Sequence, residues 1–299
     1  AQDFIDVLEV EPQTFWYKSR SLDSGYRLNQ EVIQQLSQFS QHKLVHGVGF
    51  PIGGTTPLDL SYLPTFKETI AAVNAPWCSE HLSFNRFASE RHELNAGFLC
   101  PPLQTPEGAK KAAANIRELK ANLPIPFAFE TGVNYLQPLS GELSDGQFFA
   151  AVAEEADCGI VLDLHNLWCN EQNGRQPLQE VLAELPLERV WEVHLAGGED
   201  YKGYWLDAHS DLVPAPLMEL AKDIIPTLPN LKALIFEILE DFVRINNIQP
   251  EALLEQVQQL RSLWDSRGSR FRTATVSSSK SLNRQSVETT DQLPSAAEW

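Results

Sequence analysis

Ten side chains able to bind a metal stand where apolar, strand-like runs end. They are His46, His81, Glu130, Asp163, Asn166, Glu192, His194, Asp207, His209 and Glu237. The runs read KLVHGVG, WCSEHLSF, FAFET, IVLDLHN, VWEVHLAGG and LIFEIL. Burying a carboxylate or an imidazole costs several kcal/mol unless the group is paired or metal-bound. These segments contain almost no Lys or Arg, so ion pairing does not account for the set. Convergence on one polynuclear metal site does. An oxygen-rich, thiolate-free donor set with imidazole suits iron, manganese or zinc. About nine ligands could hold two or three ions, with Glu130 placed to bridge.

Taken singly, each residue has an ordinary alternative. A lone histidine such as His46 or His81 is more often a satisfied core or loop residue. Asp163 could equally cap a following helix. Glu80 points away from its neighbour His81 on a strand and is expected to be a salt-bridge partner. Glu192 and His194, two apart, share a strand face, which makes Glu192 a supporting carboxylate beneath the imidazole. The Asp207-x-His209 pair is weak alone but gains specificity by following ExHxAGG in the same chain.

The elements that must position these groups recur regularly. Strands are expected near 4–10, 43–49, 76–84, 125–130, 159–164, 189–195 and 232–238. Several are apolar at consecutive positions, the pattern of parallel strands covered on both faces. Helices are expected over Glu31–Phe39, Pro57–Val73, from Thr105-Pro106-Glu107, from Ser144-Asp145, and over Leu178–Leu185, Pro216–Ile225 and Pro250–Trp264. The βα alternation implies a parallel sheet with covering helices. A (β/α)8 barrel fits best, because its strand C-termini converge on one mouth, whereas an open sheet spreads them along a line. Seven strands are counted, so the first barrel strand is expected to be missing at the N-terminus. Residues 1–265 form the expected catalytic domain. Residues 266–299, Ser/Thr-rich without apolar periodicity, are expected to be a disordered tail.

The chain has 299 residues, 43% hydrophobic, with net charge −17. Such a charge without a basic stripe repels phosphate backbones, so no nucleic-acid partner is expected. No apolar run approaches the ~20 residues of a membrane span. Cys78, Cys100, Cys158 and Cys169 show no CxxC spacing and are expected to be reduced, as in cytoplasm, although Cys158 and Cys169 leave a bridge open.

The segments HGVGFPIGG, SEHLSF, FETGVNYL, LDLHNLWCN, WEVHLAGGE, LDAHSDLVP and IFEI resemble a family of multinuclear non-haem iron-dependent oxidative enzymes, formerly an uncharacterised bacterial family. Its members are TIM barrels akin to xylose isomerase-like proteins. The resemblance spans residues 1–265. It implies two or three iron ions, with dioxygen as co-substrate. The implied reaction oxidatively remodels cysteine, or another residue, in a ribosomally made precursor peptide, which a partner protein presents. The implied ligands are His46, His81, Glu130, Asp163, Asn166, His194, Asp207, His209 and Glu237, with Glu192 in support. There are departures. Thr131 replaces the usual Asn, His165-Asn166 replaces Asn-Asn, and Gly198 replaces a His. The D-x-H-x-x-P stretch is altered around Ser210–Val213. His165 is thereby an open candidate for an extra ligand. The ligand order also resembles AP-endonucleases, and the competing function is a divalent-metal-dependent hydrolase or isomerase of that superfamily. A barrel that has lost activity and serves as a binding partner is a third reading.

Overall fold

The computed structural model describes residues 4–18, 25–88 and 93–277. Seven strands form one sheet: β1 (Val7–Val10), β2 (His42–Gly47), β3 (Cys78–His81), β4 (Phe127–Glu130), β5 (Gly159–Asp163), β6 (Val190–Ala196) and β7 (Ala233–Glu237). They pair in chain order and every adjacent pair is parallel. The end strands β1 and β7 approach each other, so the sheet curls into a nearly closed barrel. All seven expected strands are present, with bounds shifted by a few residues. The seam lies between β1 and β7, where an eighth strand would complete the ladder. A cleft of about 990 Å³ follows it, flanked by Val7 and Glu9 on one side and Leu234 and Glu237 on the other.

The helices are α1 (Gln30–Leu36), α2 (Leu63–Val73), α3 (Pro106–Ala121), α4 (Asp145–Ala156), α5 (Leu164–Gln172), α6 (Leu178–Glu184), α7 (Ala215–Ile224), α8 (Glu240–Ile245) and α9 (Pro250–Ser277). Thr105 and Ser144 cap α3 and α4, accepting the N–H groups of Gly108 and Gln147. Each cap satisfies a donor that the first helical turn leaves open.

The tail boundary needs correction. Helix α9 runs through the expected limit at residue 265 and on to Ser277. Leu260 and Leu263 are buried. The Arg267 guanidinium lies over the Trp264 ring and donates to the carbonyls of Leu228 and Leu231. Leu260, Leu263 and Trp264 belong to the helix expected over Pro250–Trp264, and Arg267 carries the contact with the barrel into the start of the stretch where composition suggested disorder. Residues 278–299 of that expected tail lie outside the described residues.

Alternation along the strands sorts side chains into two layers. Val45, Phe127, Phe129, Ile160, Leu162, Val193 and Leu195 face the helices and join Phe66, Ile116 and Phe148 in the main core. Burying each such side chain contributes roughly 1.5–3 kcal/mol. Leu44, Trp77, Ala233 and Ile235 form a separate small cluster, with Val7, in the barrel interior. Above that apolar floor the interior becomes polar.

Candidate metal centre

Strand register brings the polar ends together. His81 pairs with Glu130 across β3 and β4, and Asp163 with His194 across β5 and β6. His46 is opposite Ser79 in β3, and its Nδ1 lies 2.7 Å from the Ser79 hydroxyl. The Nδ1 of His81 lies 3.0 Å from the Gly47 carbonyl, to which it donates. That bond leaves the His81 Nε2 lone pair facing inward, the usual state of a metal-binding imidazole. His46 Nε2 lies 2.8 Å and His81 Nε2 3.3 Å from Glu130 Oε2.

Glu130 is the hub. Asn166 Nδ2 donates to its Oε1 at 2.9 Å and to the Thr131 carbonyl at 3.2 Å. Glu130, Asp163 and His194 bring donor atoms within 4.8 Å of one another, as do His46, His81 and Glu130. Asp163 also accepts the Asn166 backbone N–H at 2.8 Å through Oδ1, starting α5 directly from the strand. Both readings of Asp163 are therefore compatible: one oxygen caps the helix and the other remains available.

His194 occupies the middle of the interior. Its Nε2 lies 3.2 Å from Glu9 Oε1 and 3.5 Å from Glu192 Oε1, and its Nδ1 lies 3.3 Å from Glu237 Oε1. At the rim, Asp207 Oδ1 contacts His209 Nε2 at 3.0 Å and His165 Nδ1 at 2.9 Å, and His209 Nε2 lies 3.7 Å from Glu237 Oε2. All nine residues expected to bind metal thus face one mouth, with Glu192 beneath them.

Glu9 was missed by the sequence reading. It belongs to FIDVLEV, a run that carries the same signal, a carboxylate at the end of a strand. Glu80 faces away from the interior as expected. The salt bridge expected of it is present only as a long contact, its Oε1 4.0 Å from His81 Nδ1, and its closer partners are backbone N–H groups. Gly49, Phe50 and His81 donate to it at 3.1, 2.9 and 3.2 Å, fastening the loop after β2. Burial lifts its carboxyl to about 8 against those bonds. All four cysteines are free, so the possible Cys158–Cys169 bridge is absent.

The electrostatics show what the cluster demands. Burial opposes charge on His46, yet Glu9 and Glu130 outweigh it and raise the imidazole to about 10. Against the same burial penalty, Asp207 and Glu237 lift His209 to about 10, and Glu237 and Glu9 raise His194 well above its ordinary range. Burial and then Glu192 push Glu9 up to about 7, and burial with Glu130 raises Asp163. Glu130 is held low despite burial by His81 and His46, and Asp207 by His165 and His209. The clustered carboxylates therefore draw protons onto the imidazoles, the positions a bound cation would take over.

The donor set fits metal ions. Glu9 Oε2, Glu130 Oε2, Asp163 Oδ2, Asn166 Oδ1, Glu192 Oε1, both His194 ring nitrogens and His209 Nε2 are buried, and no hydrogen bond of proper geometry satisfies them. Native interiors leave few such atoms. Among the described residues, eight of the eleven such atoms lie in this one cluster, a concentration that fits a metal centre better than scattered packing faults.

Known proteins agree at the level of fold and family. The backbone matches an L-ribulose 3-epimerase with TM-score 0.53 at 12% identity, over 93% of this chain and 89% of that one. It matches D-psicose 3-epimerase from Clostridium cellulolyticum H10 with TM-score 0.50 at 9% identity, over 90% of each. These likenesses concern the barrel fold alone. In sequence, the chain is 30% identical to a UPF0276 protein of Shewanella loihica over 83% of this chain and 88% of that protein. It is 32% identical to one from Neisseria meningitidis serogroup B over 77% and 82%. The model of the RiPP precursor modification enzymes MbnB/TglH/ChrH matches residues 3–262, and the chain belongs to that family.

Proposed function

We propose that this protein is an iron-dependent oxidase or oxygenase that modifies cysteine, or another residue, of a ribosomally synthesised precursor peptide with dioxygen. The observation that carries the reading is the set of buried, unsatisfied donors converging around Glu130 and His194. His46, His81, Glu130, Asp163, Asn166, His194, Asp207, His209 and Glu237 would hold two or three ions, and Glu192 would support His194. When bound, iron supplies electron exchange with dioxygen and Lewis acidity toward a substrate thiol.

The chain's own residues do the rest. The Gly47 carbonyl and Ser79 hydroxyl fix the rings of His81 and His46. Asn166 fixes one oxygen of Glu130, leaving the other directed at the two imidazoles. The loops leaving the C-terminal ends of β4 and β6 expose Leu136, Leu139, Tyr201 and Tyr204. Such apolar side chains suit contact with a peptide or with a protein that presents it.

Purification without oxygen, metal analysis and oxygen-uptake assays test the proposal. Two or more irons, with oxygen consumption that requires a cysteine-bearing precursor peptide, are expected. Stoichiometric zinc with phosphodiester hydrolysis or sugar isomerisation, and no peptide-dependent oxygen uptake, would overturn it.

A further inference from the structure

His165 is fully buried, and both of its ring nitrogens are engaged. The Trp205 indole N–H lies 3.2 Å from Nε2. An indole nitrogen only donates, so Nε2 accepts and the ring hydrogen is on Nδ1. Nδ1 then donates to Asp207 Oδ1 at 2.9 Å, the same oxygen that contacts His209. Trp205 is itself clamped. Its backbone N–H donates to Asn173 Oδ1 at 2.9 Å and its carbonyl accepts from Asn173 Nδ2 at 2.8 Å. On the other side of Asp207, the backbone N–H donates to the Tyr135 hydroxyl at 2.9 Å. The first turn of α5 therefore reaches the Asp207 carboxylate through His165, the hairpin of residues 199–206 fixes that ring through Trp205, and the loop after β4 holds the Asp207 backbone through Tyr135.

Gly198 makes the arrangement possible. A Cβ there would lie 2.0 Å from the Leu206 carbonyl oxygen, 2.9 Å from Trp205 Nε1 and 3.1 Å from His165 Cε1. Positions 165 and 198 are both departures from the pattern the chain resembles, and the structure couples them. The Leu206 carbonyl is the main obstacle to a side chain at 198, and the Trp205 indole and the His165 ring close the rest of that space.

We infer that His165 is a positioning residue, not a ligand: it sets the orientation of Asp207, and through it the rim of the metal centre that also includes His209. The inference rests on reading Asp207 and His209 as metal-binding residues. A ring whose two nitrogens are committed to Asp207 and Trp205 has no lone pair left for a cation. Partners of this outer kind typically alter metal affinity by about ten- to hundredfold when removed.

Cobalt(II) titration of the chelator-treated full chain, followed by visible absorption, tests this. His165→Leu is expected to weaken cobalt binding about ten- to hundredfold at one site and change its d–d bands. His165→Asn, whose amide nitrogen can stand where Nδ1 stands, should restore much of the affinity and the wild-type bands. Chemical denaturation of the metal-free variants separates these effects from loss of fold. Wild-type affinity and bands in His165→Leu would overturn the inference, as would His165→Asn as defective as His165→Leu. A thiolate-to-cobalt band in the wild type, lost in both Cys169→Ser and His165→Leu, would make His165 a ligand and also overturn it, since Cys169 Sγ lies 3.7 Å from His165 Nε2. A wild-type chain that takes up no cobalt would overturn both this inference and the metal-centre reading beneath it.

Discussion

Trp77 donates its indole N–H to Glu192 Oε2 at 2.9 Å inside the barrel, linking the start of β3 to β6. Both residues are buried, and the other oxygen of Glu192 lies 3.5 Å from His194. The apolar floor of the barrel thus reaches up through one hydrogen bond to steady the carboxylate beneath the central imidazole. Trp77→Phe keeps most of the packing but leaves Glu192 Oε2 without its donor. A destabilisation of about 1–3 kcal/mol is expected from an unsatisfied buried acceptor. Urea denaturation of the metal-free protein measures it, and a variant as stable as the wild type would show that this bond adds nothing.

The metal-free protein should lose stability as pH rises. His46 and His209 move from an ordinary 6.5 to about 10 on folding. A base raised in this way adds stability that is complete below pH 6.5 and lost as pH climbs through 10. Glu9, raised from 4.5 to about 7, acts in the same direction over a lower window, because the folded state holds its proton more tightly. Metal affinity should follow the opposite trend and increase with pH, because cations must displace those protons. Melting temperatures of chelated protein from pH 5 to 10 check the first statement. A melting temperature that rises across that range would contradict it.

The strands were legible because parallel strands covered on both faces are continuous apolar runs. His81, Glu130 and Asp163 stand out in sequence because each ends such a run. Glu9 did not stand out, because Asp6, Glu9 and Glu11 crowd one short segment and only the barrel decides which of them turns inward. Helix α5 was missed for a related reason. Asp163 ends the strand and caps the helix at once, so no loop separates them. Leu164 through Asn170 are all buried, so the segment lacks the polar face that marks a surface helix. His165, between two expected ligands, was left open in sequence because its role depends on Trp205 and Asp207, about forty residues further along.

His209 has a left-handed backbone, with φ of 48°, and its carbonyl accepts the Leu239 N–H at 2.9 Å. The strained turn ties the loop after β6 to the one after β7 and brings the imidazole to Asp207. For a residue with a Cβ that conformation costs roughly 1–2 kcal/mol, which glycine avoids. His209→Ala and His209→Gly should both lower metal content. In the metal-free state the glycine variant should be the more stable of the two. Elemental analysis and thermal melts read both effects, and unchanged metal content in either variant would count against His209 as a ligand.

Arg175 connects the helical shell to the loop after β4. It is buried, with Nε 3.1 and 3.2 Å from the two carboxylate oxygens of Asp145, and it also donates to the Leu136 carbonyl and to Gln104 Oε1. Asp145 opens α4, whereas Leu136 lies in the loop whose Leu136 and Leu139 side chains are exposed. Replacing the guanidinium by an apolar chain, as in Arg175→Met, leaves a buried carboxylate without its counter-charge. A loss of about 3–5 kcal/mol is expected. Arg175 touches none of the proposed metal-binding residues, so the folded variant should keep its full metal complement. Its effect on catalysis should instead appear in the loop, as a KM for precursor peptide that rises more than kcat falls. Loss of metal at unchanged KM would mean that this ion pair supports the centre itself rather than the exposed loop proposed to meet the peptide.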